Sequence, residues 1–255
     1  MKMKTVIITG ASSGLGREYA LAASKRYPDT GEFWLIARRA DRLESIAEEI
    51  GRDKTVVLPL DLCEKDALKS FSDYLAERSP EVTLLINDAG FGKLGCVADI
   101  DPLVQREMCN LNCGALTAVT AMTLKYMPEK AGIINVCSIA SFAPTPRMSV
   151  YCATKSYVMA FSRALREELK SRKIGVTAVC PGPMSTEFLG SAGISQGRSR
   201  TFDTLPYCDP EKTAVNSLKA LDRGSPVYTE KLFYKLYRVL GKLLPHSLVM
   251  KFTRC

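Results

Sequence analysis

The chain has 255 residues, 46% hydrophobic and 24% charged, enough apolar material for one sizeable globular domain. A single histidine, His246, excludes zinc sites built on two or three imidazoles. Nine scattered cysteines without a CxxC pair argue for reduced thiols in a cytoplasmic protein, against a disulfide framework or zinc knuckle, with no metal site expected.

The first half alternates short β-branched runs with amphipathic stretches. Thr5–Thr9 reads as a buried strand and 17–26 as a helix. Phe33–Ala37 reads as a second strand. The next stretch sets Leu43, Ile46, Ala47 and Ile50 at helical spacing, with Glu44, Glu48 and Glu49 on the outer face. A third strand is predicted at Thr55–Leu58, then a helix carrying Leu68, Phe71 and Leu75. Further strands follow at Leu84–Ile86, Gly132–Cys137 and Ile174–Cys180. Their continuous apolar character predicts burial on both faces, and strand–helix alternation of this kind predicts a parallel, doubly wound α/β sheet in a single domain over 1–230. Cys109 and Cys113, one helical turn apart, read as small buried hydrophobes. The segment from Met184 to Pro210 is rich in Gly, Ser and Thr and lacks a period, so it reads as a long loop or lid. The apolar stretch Val6–Ile8 is too short for a signal peptide, and no apolar run reaches the roughly 18 residues of a membrane span.

A glycine-rich turn, Thr9 to Gly16, lies between the first strand and the first helix. Gly10 allows a tight turn, and Gly14 and Gly16 allow close approach of backbone to a pyrophosphate. With Ser12, Ser13 and Leu15 they present free N–H groups at a helix N-terminus. The spacing is GxxxGxG, and its position between strand and helix is what gives it weight. The second strand ends at Ala37, where a carboxylate would select NAD by bonding a ribose hydroxyl. Here Arg38 and Arg39 follow instead, suited to a 2′-phosphate, so the expected cofactor is NADP(H). Asp61, with Leu62, ends the third strand where a carboxylate can receive an adenine amino group; a helix-capping role is equally open.

Tyr151 and Lys155 are four apart in a helical segment, so both side chains share a face. A free phenol titrates near pH 10; acid–base work near neutrality needs about 3–4 kcal/mol of differential stabilisation, which a nearby ammonium supplies in part. Ser138 closes the fifth strand, at the edge where open α/β sheets bind ligands, and its hydroxyl can hold a substrate oxygen.

The ordered set Thr9–Gly16, Asp61, Asn87 with Asp88, Ala89 and Gly90, then Asn112, Ser138, Tyr151 with Lys155, and Pro181 to Thr186 resembles the short-chain dehydrogenase/reductase family over roughly the first 190 residues. The resemblance implies a Rossmann-type fold and a catalytic set of Asn112, Ser138, Tyr151 and Lys155, with Asn112 holding a water that links Lys155 to solvent. It adds Asn87, Ala89, Gly90, Pro181, Gly182, Met184 and Thr186 to the cofactor contacts, beside Tyr151 and Lys155 themselves. Asp88 departs from the family's usual Asn-Asn-Ala-Gly. Homodimers or homotetramers are implied as well.

The net charge of +8 is unevenly placed. The last 25 residues hold six basic and no acidic side chains, leaving 29 against 27 over the first 230. Lys231, Lys235, Arg238 and Lys242 step along one helical face; Leu232, Phe233, Leu236, Tyr237, Leu240, Leu243 and Leu244 make a broad apolar one; Pro245 ends the helix. This extension, 231–255, can pack on its own domain, cover a second subunit or make peripheral membrane contact through 231–252. Nucleic acid is not an expected partner, because the domain proper is nearly neutral. His246 reads as a structural residue. The expected function is interconversion of a secondary alcohol and a ketone or aldehyde, on a hydrophobic small molecule such as a steroid or acyl lipid. The alternative is a non-catalytic NADP(H)-binding regulator or membrane-associated module on the same fold.

Overall fold

The computed structural model describes residues 2–194 and 200–253. Among these, seven strands form one parallel sheet: β1 (Lys4–Thr9), β2 (Glu32–Ala37), β3 (Thr55–Pro59), β4 (Glu81–Asn87), β5 (Gly132–Val136), β6 (Gly175–Val179) and β7 (Val227–Tyr228), in the order β3-β2-β1-β4-β5-β6-β7. The order reverses between β1 and β4, and that switch point opens a crevice at the carboxyl ends of both strands.

The helices are α1 (Gly14–Arg26), α2 (Ala40–Ile50), α3 (Lys65–Arg78), α4 (Pro102–Cys109), α5 (Leu116–Leu124), α6 (Ser149–Glu168), α7 (Glu187–Ser191), α8 (Arg200–Thr204), α9 (Pro210–Asp222), α10 (Leu232–Leu243) and α11 (His246–Phe252). Alternation along β1 sorts them into layers. Val6 and Ile8 face one side, with Tyr19 of α1, Leu43 and Ile46 of α2, and Leu218 and Leu221 of α9. Ile7 faces the other, with Phe71 and Leu75 of α3, Val119 of α5 and Leu165 of α6. Both faces are covered, as the unbroken apolar strands require. The buried phenol of Tyr19 and the hydroxyl of Ser217 share a 2.7 Å hydrogen bond that ties α1 to α9.

Several elements differ from the sequence reading. The Met184–Pro210 segment carries two five-residue helices, α7 and α8, too short to show a period; 195–199 fall outside the described residues. The two-residue edge strand β7 left no pattern to read. Cys109 is exposed and Cys113 half-buried, because α4 buries Met108 against α6 and the π-helical turn Asn110–Ala115 turns Asn112 and Ala115 inward, leaving the two cysteines off the buried side. His246 is exposed at the start of α11. The C-terminal helix departs most. It docks through Tyr234 and Gly241, while Leu232, Phe233, Leu236, Leu240 and Leu243 stay exposed. Gly241 is required there: a Cβ would stand 2.6 Å from the carbonyl oxygen of Phe142.

Candidate active site

The glycine-rich turn is built by close backbone contact. Gly10 has φ +72°, and a Cβ on it would lie 2.7 Å from the Ala89 nitrogen. A side chain at Gly16 would overlap the Gly10 carbonyl oxygen and meet the Asp88 carboxylate. Thr9 Oγ1 accepts from the Asp88 and Ala89 N–H groups, both at 3.2 Å, and so joins the ends of β1 and β4 at the switch point. The result is a shallow cradle with the N-terminus of α1 at its floor, suited to a dinucleotide pyrophosphate.

This cradle is one end of a cavity of about 1000 Å³. Gly10, Ser12, Ser13, Gly14 and Leu15 line it, followed by Arg38 and Arg39, Asp61 and Leu62, then Ala89 and Gly90. Ser138, Tyr151, Lys155, Pro181, Gly182 and Met184 line it further on, and Thr186 lies back against Gly14 of the turn. Three of the sequence-selected residues stand behind the wall. Gly16 lies under the turn. Asn87 is buried and donates to Asn135 Oδ1 (2.8 Å) and Thr120 Oγ1 (3.0 Å), tying β4 to β5 and α5.

Asn112 is the third. It sits in the π-helical turn between α4 and α5, fully buried. Its Oδ1 accepts from the Phe91 N–H at 3.0 Å, and its Nδ2 donates to the Phe91 carbonyl at 2.9 Å and to Thr154 Oγ1 at 3.1 Å. One side chain therefore fixes the strand β4 exit against the helix that carries Lys155. Only a glycine fits at position 90 between them: a Cβ there would be 2.8 Å from Asn112 Oδ1 and 3.6 Å from Lys155 Nζ.

Tyr151 occupies the first turn of α6 and Lys155 the second, both buried on the sheet-facing side. Lys155 Nζ donates to the Val136 carbonyl at 2.9 Å. Ser138 Oγ accepts from the Ala140 N–H at 3.1 Å, so it caps the 3-10 turn Ile139–Ser141 as well as facing the phenol. Burial pushes the Tyr151 phenol above its ordinary range, and its hydrogen bond with Ser138 pulls it down. Burial also pushes the Lys155 ammonium below its ordinary range, opposed by the Cys137 thiol and the Asp88 carboxylate. Asp88 is itself pushed up to about 7 by burial, with Lys155 pulling it down. A phenol, an ammonium, a carboxyl and a hydroxyl thus meet in one cavity, close to the glycine-rich cradle.

At the β2–β3 end of the cavity, Asp61 Oδ1 accepts from the Cys63 N–H at 3.0 Å in a local turn; Asp61 caps no helix, since Glu64 holds the N-cap position of α3, and Arg38 Nη1 stands 3.6 Å from its other oxygen. Arg39 donates to Ser13 Oγ at 2.7 Å and to Glu187 Oε2 at 2.8 Å. Arg42 also pairs with Glu187, and the two guanidiniums hold that carboxyl below the usual range. The sequence reading missed this link between α7 and the arginines beside the glycine-rich turn. It also missed one whole wall: Phe233, Tyr234, Tyr237, Leu240 and Leu244 of the C-terminal segment, with Val249 of α11, line the cavity. Their signal was present in the amphipathic period, but period alone does not say which neighbour a helix meets.

A parallel sheet with this switch point, turn and Tyr–Lys pair defines a dinucleotide-dependent oxidoreductase scaffold. A family model described as short chain dehydrogenase matches residues 4–196, and the chain belongs to that family. It is 36% identical over 210 residues to sulfoacetaldehyde reductase 2 of Chromohalobacter salexigens, covering 79% of this chain and 82% of that protein. It is 33% identical over 233 residues to the NADP-dependent 3-hydroxy acid dehydrogenase of Schizosaccharomyces pombe, covering 88% and 89%. Among solved structures, a short-chain dehydrogenase from Sphingobium yanoikuyae in complex with NADPH superposes with a TM-score of 0.78 at 29% identity, covering 95% and 97%.

Proposed function

We propose that the protein is an NADP(H)-dependent oxidoreductase that interconverts a secondary alcohol and a ketone, or an aldehyde, on an apolar small molecule. The observation that carries the reading is the convergence of Ser138, Tyr151 and Lys155 on one cavity that also contains the glycine-rich turn and Arg38. Gly10, Gly14 and the N-terminus of α1 suit the pyrophosphate, Arg38 and Arg39 the 2′-phosphate, and Lys155 the nicotinamide ribose hydroxyls. A bound nicotinamide supplies or accepts the hydride.

The chain's own residues manage the oxygen. Ser138 orients the substrate oxygen beside the phenol. In reduction Tyr151 donates its proton to that oxygen; in oxidation its phenolate takes the proton back. The ammonium of Lys155 stabilises the phenolate, and Asn112 positions the Lys155 helix. Phe91, Met148, Phe188 and Phe202 line the substrate end, which supports an apolar substrate. An NADPH absorbance assay over a panel of ketones, with NADH in parallel, tests the reading. Turnover with NADPH well above NADH is expected; equal use of both would remove the 2′-phosphate assignment. Binding of NADPH with no turnover across the panel would favour the non-catalytic alternative.

A further inference from the structure

We propose that α10 and α11 seat the protein on an anionic lipid surface, and that the cavity takes its apolar substrate from that surface. The second half rests on the proposed oxidoreductase reading; the first does not.

The outward face of α10 carries the argument. At 100° per residue, Leu232, Leu236, Val239 and Leu243 fall on one stripe, opposite the docked residues Tyr234 and Gly241. These four side chains are 50–73% exposed, and Leu248 of α11 extends the patch. A contiguous apolar face of this kind on a folded domain marks an interaction site. Beside it runs a second stripe, Lys235 and Lys242 with Lys231 at its start, the last 3.9 Å from Glu230. From Lys231 to the end no acidic residue occurs. Leucines pointing away from the body with lysines along their margin match a helix lying in an interface, apolar side in the acyl region and ammonium groups among anionic headgroups. Twelve residues rise about 18 Å, enough to lie on a bilayer, and among the described residues no helix is long and apolar enough to cross one.

Charge argues against a second copy as the occupant. Two such helices paired about a two-fold axis would bring Lys235 and Lys242 of each together, with Glu230 beside Lys231 the one carboxylate flanking the stripe among the described residues. The patch is also continuous with the catalytic cavity. Phe233 and Leu240 are exposed on one side and line the cavity on the other. An apolar molecule leaving the acyl region at α10 therefore meets apolar side chains all the way inward.

The test is co-sedimentation of the full chain with vesicles of phosphatidylcholine alone and of phosphatidylcholine with an equal part of phosphatidylglycerol. The wild-type chain is expected to pellet with the anionic vesicles, less so at high salt. Lys235→Gln with Lys242→Gln should weaken that binding about thirtyfold. Leu236→Glu with Leu243→Glu should abolish it, and none of these four residues lines the cavity. On a short, water-soluble ketone that the enzyme reduces, the leucine variant should match the wild type. On a long-chain ketone held in anionic vesicles it should turn over at least tenfold more slowly. Absence of wild-type vesicle binding, or equal binding by the leucine variant, overturns the proposal whatever the turnover. A dimer that the leucine substitutions split, without vesicle binding, assigns the face to a second copy and overturns it too. Equal turnover by the two proteins on the vesicle-borne ketone overturns the delivery half. Vesicle binding without turnover on any ketone upholds the docking half and instead counts against the oxidoreductase reading.

Discussion

The ammonium of Lys155 stands 5.8 Å from the centre of the Tyr151 ring, one helical turn away on the buried face of α6. Burial works against both groups, raising the phenol and lowering the ammonium. A phenolate next to an ammonium relieves both penalties at once, which is the property the proposed proton exchange at Ser138 requires.

Replacing Lys155 with Met removes the nearest positive charge from the phenol. Alcohol oxidation needs the phenolate, so its pH–rate profile should move to higher pH, and the rate near neutrality should fall by about 10²–10⁴. An unshifted profile would show that Lys155 does not tune Tyr151.

The rim arginines should discriminate between cofactors. Arg38 is largely exposed and meets Asp61 and Glu107 only at 3.6 and 3.8 Å, contacts weak enough to exchange for a phosphate. Arg38→Ala with Arg39→Ala should weaken NADPH binding by roughly 10–100-fold and leave NADH almost unchanged. Fluorescence titration with both cofactors measures the ratio; a parallel loss for both would place the arginines elsewhere in function.

Asp88 makes stability depend on pH. Its folded pKa of about 7 lies above the usual carboxyl value, so the folded state holds the extra proton between pH of about 4 and 7. Stability contributed by this group is therefore lost as pH rises through that window. Asp88→Asn should remove the slope and be more stable than wild type at pH 8 by roughly 2–4 kcal/mol, with near-equality at pH 4. Urea unfolding at the two pH values checks it. A gap that fails to grow with pH would contradict the assignment.

Gly241→Val should lift α10 from Phe142, costing about 1–3 kcal/mol. Hydrogen exchange should lose protection over α10 while β1 and β5 keep theirs, because Tyr234, whose hydroxyl donates to the Pro206 carbonyl at 2.8 Å, is pulled from its seat. Unchanged protection would mean the helix is held by other contacts.

The sheet was largely legible because its central strands, β1, β2, β4, β5 and β6, are buried on both faces and read as apolar runs. The glycine turn was legible because contact at Gly10 and Gly16 tolerates no side chain. What escaped reading depends on contacts distant in sequence. Asn112 has no local signal; its importance comes from bonds to Phe91, 21 residues away, and Thr154, 42 away. Arg39 and Glu187 are 148 apart, and nothing in either segment announces the pair. The tail showed its two stripes clearly, yet it docks through Tyr234 and Gly241, which belong to neither. Small residues that permit close approach carry no weight in a hydrophobic pattern.

The most direct test of the central claim is turnover by Tyr151→Phe, which keeps the ring and removes only the exchangeable proton. NADPH binding should stay within a few-fold of wild type, while reduction of any accepted ketone should fall by about 10²–10⁴. Turnover retained at the wild-type rate would contradict the assignment of Tyr151 as the acid–base group.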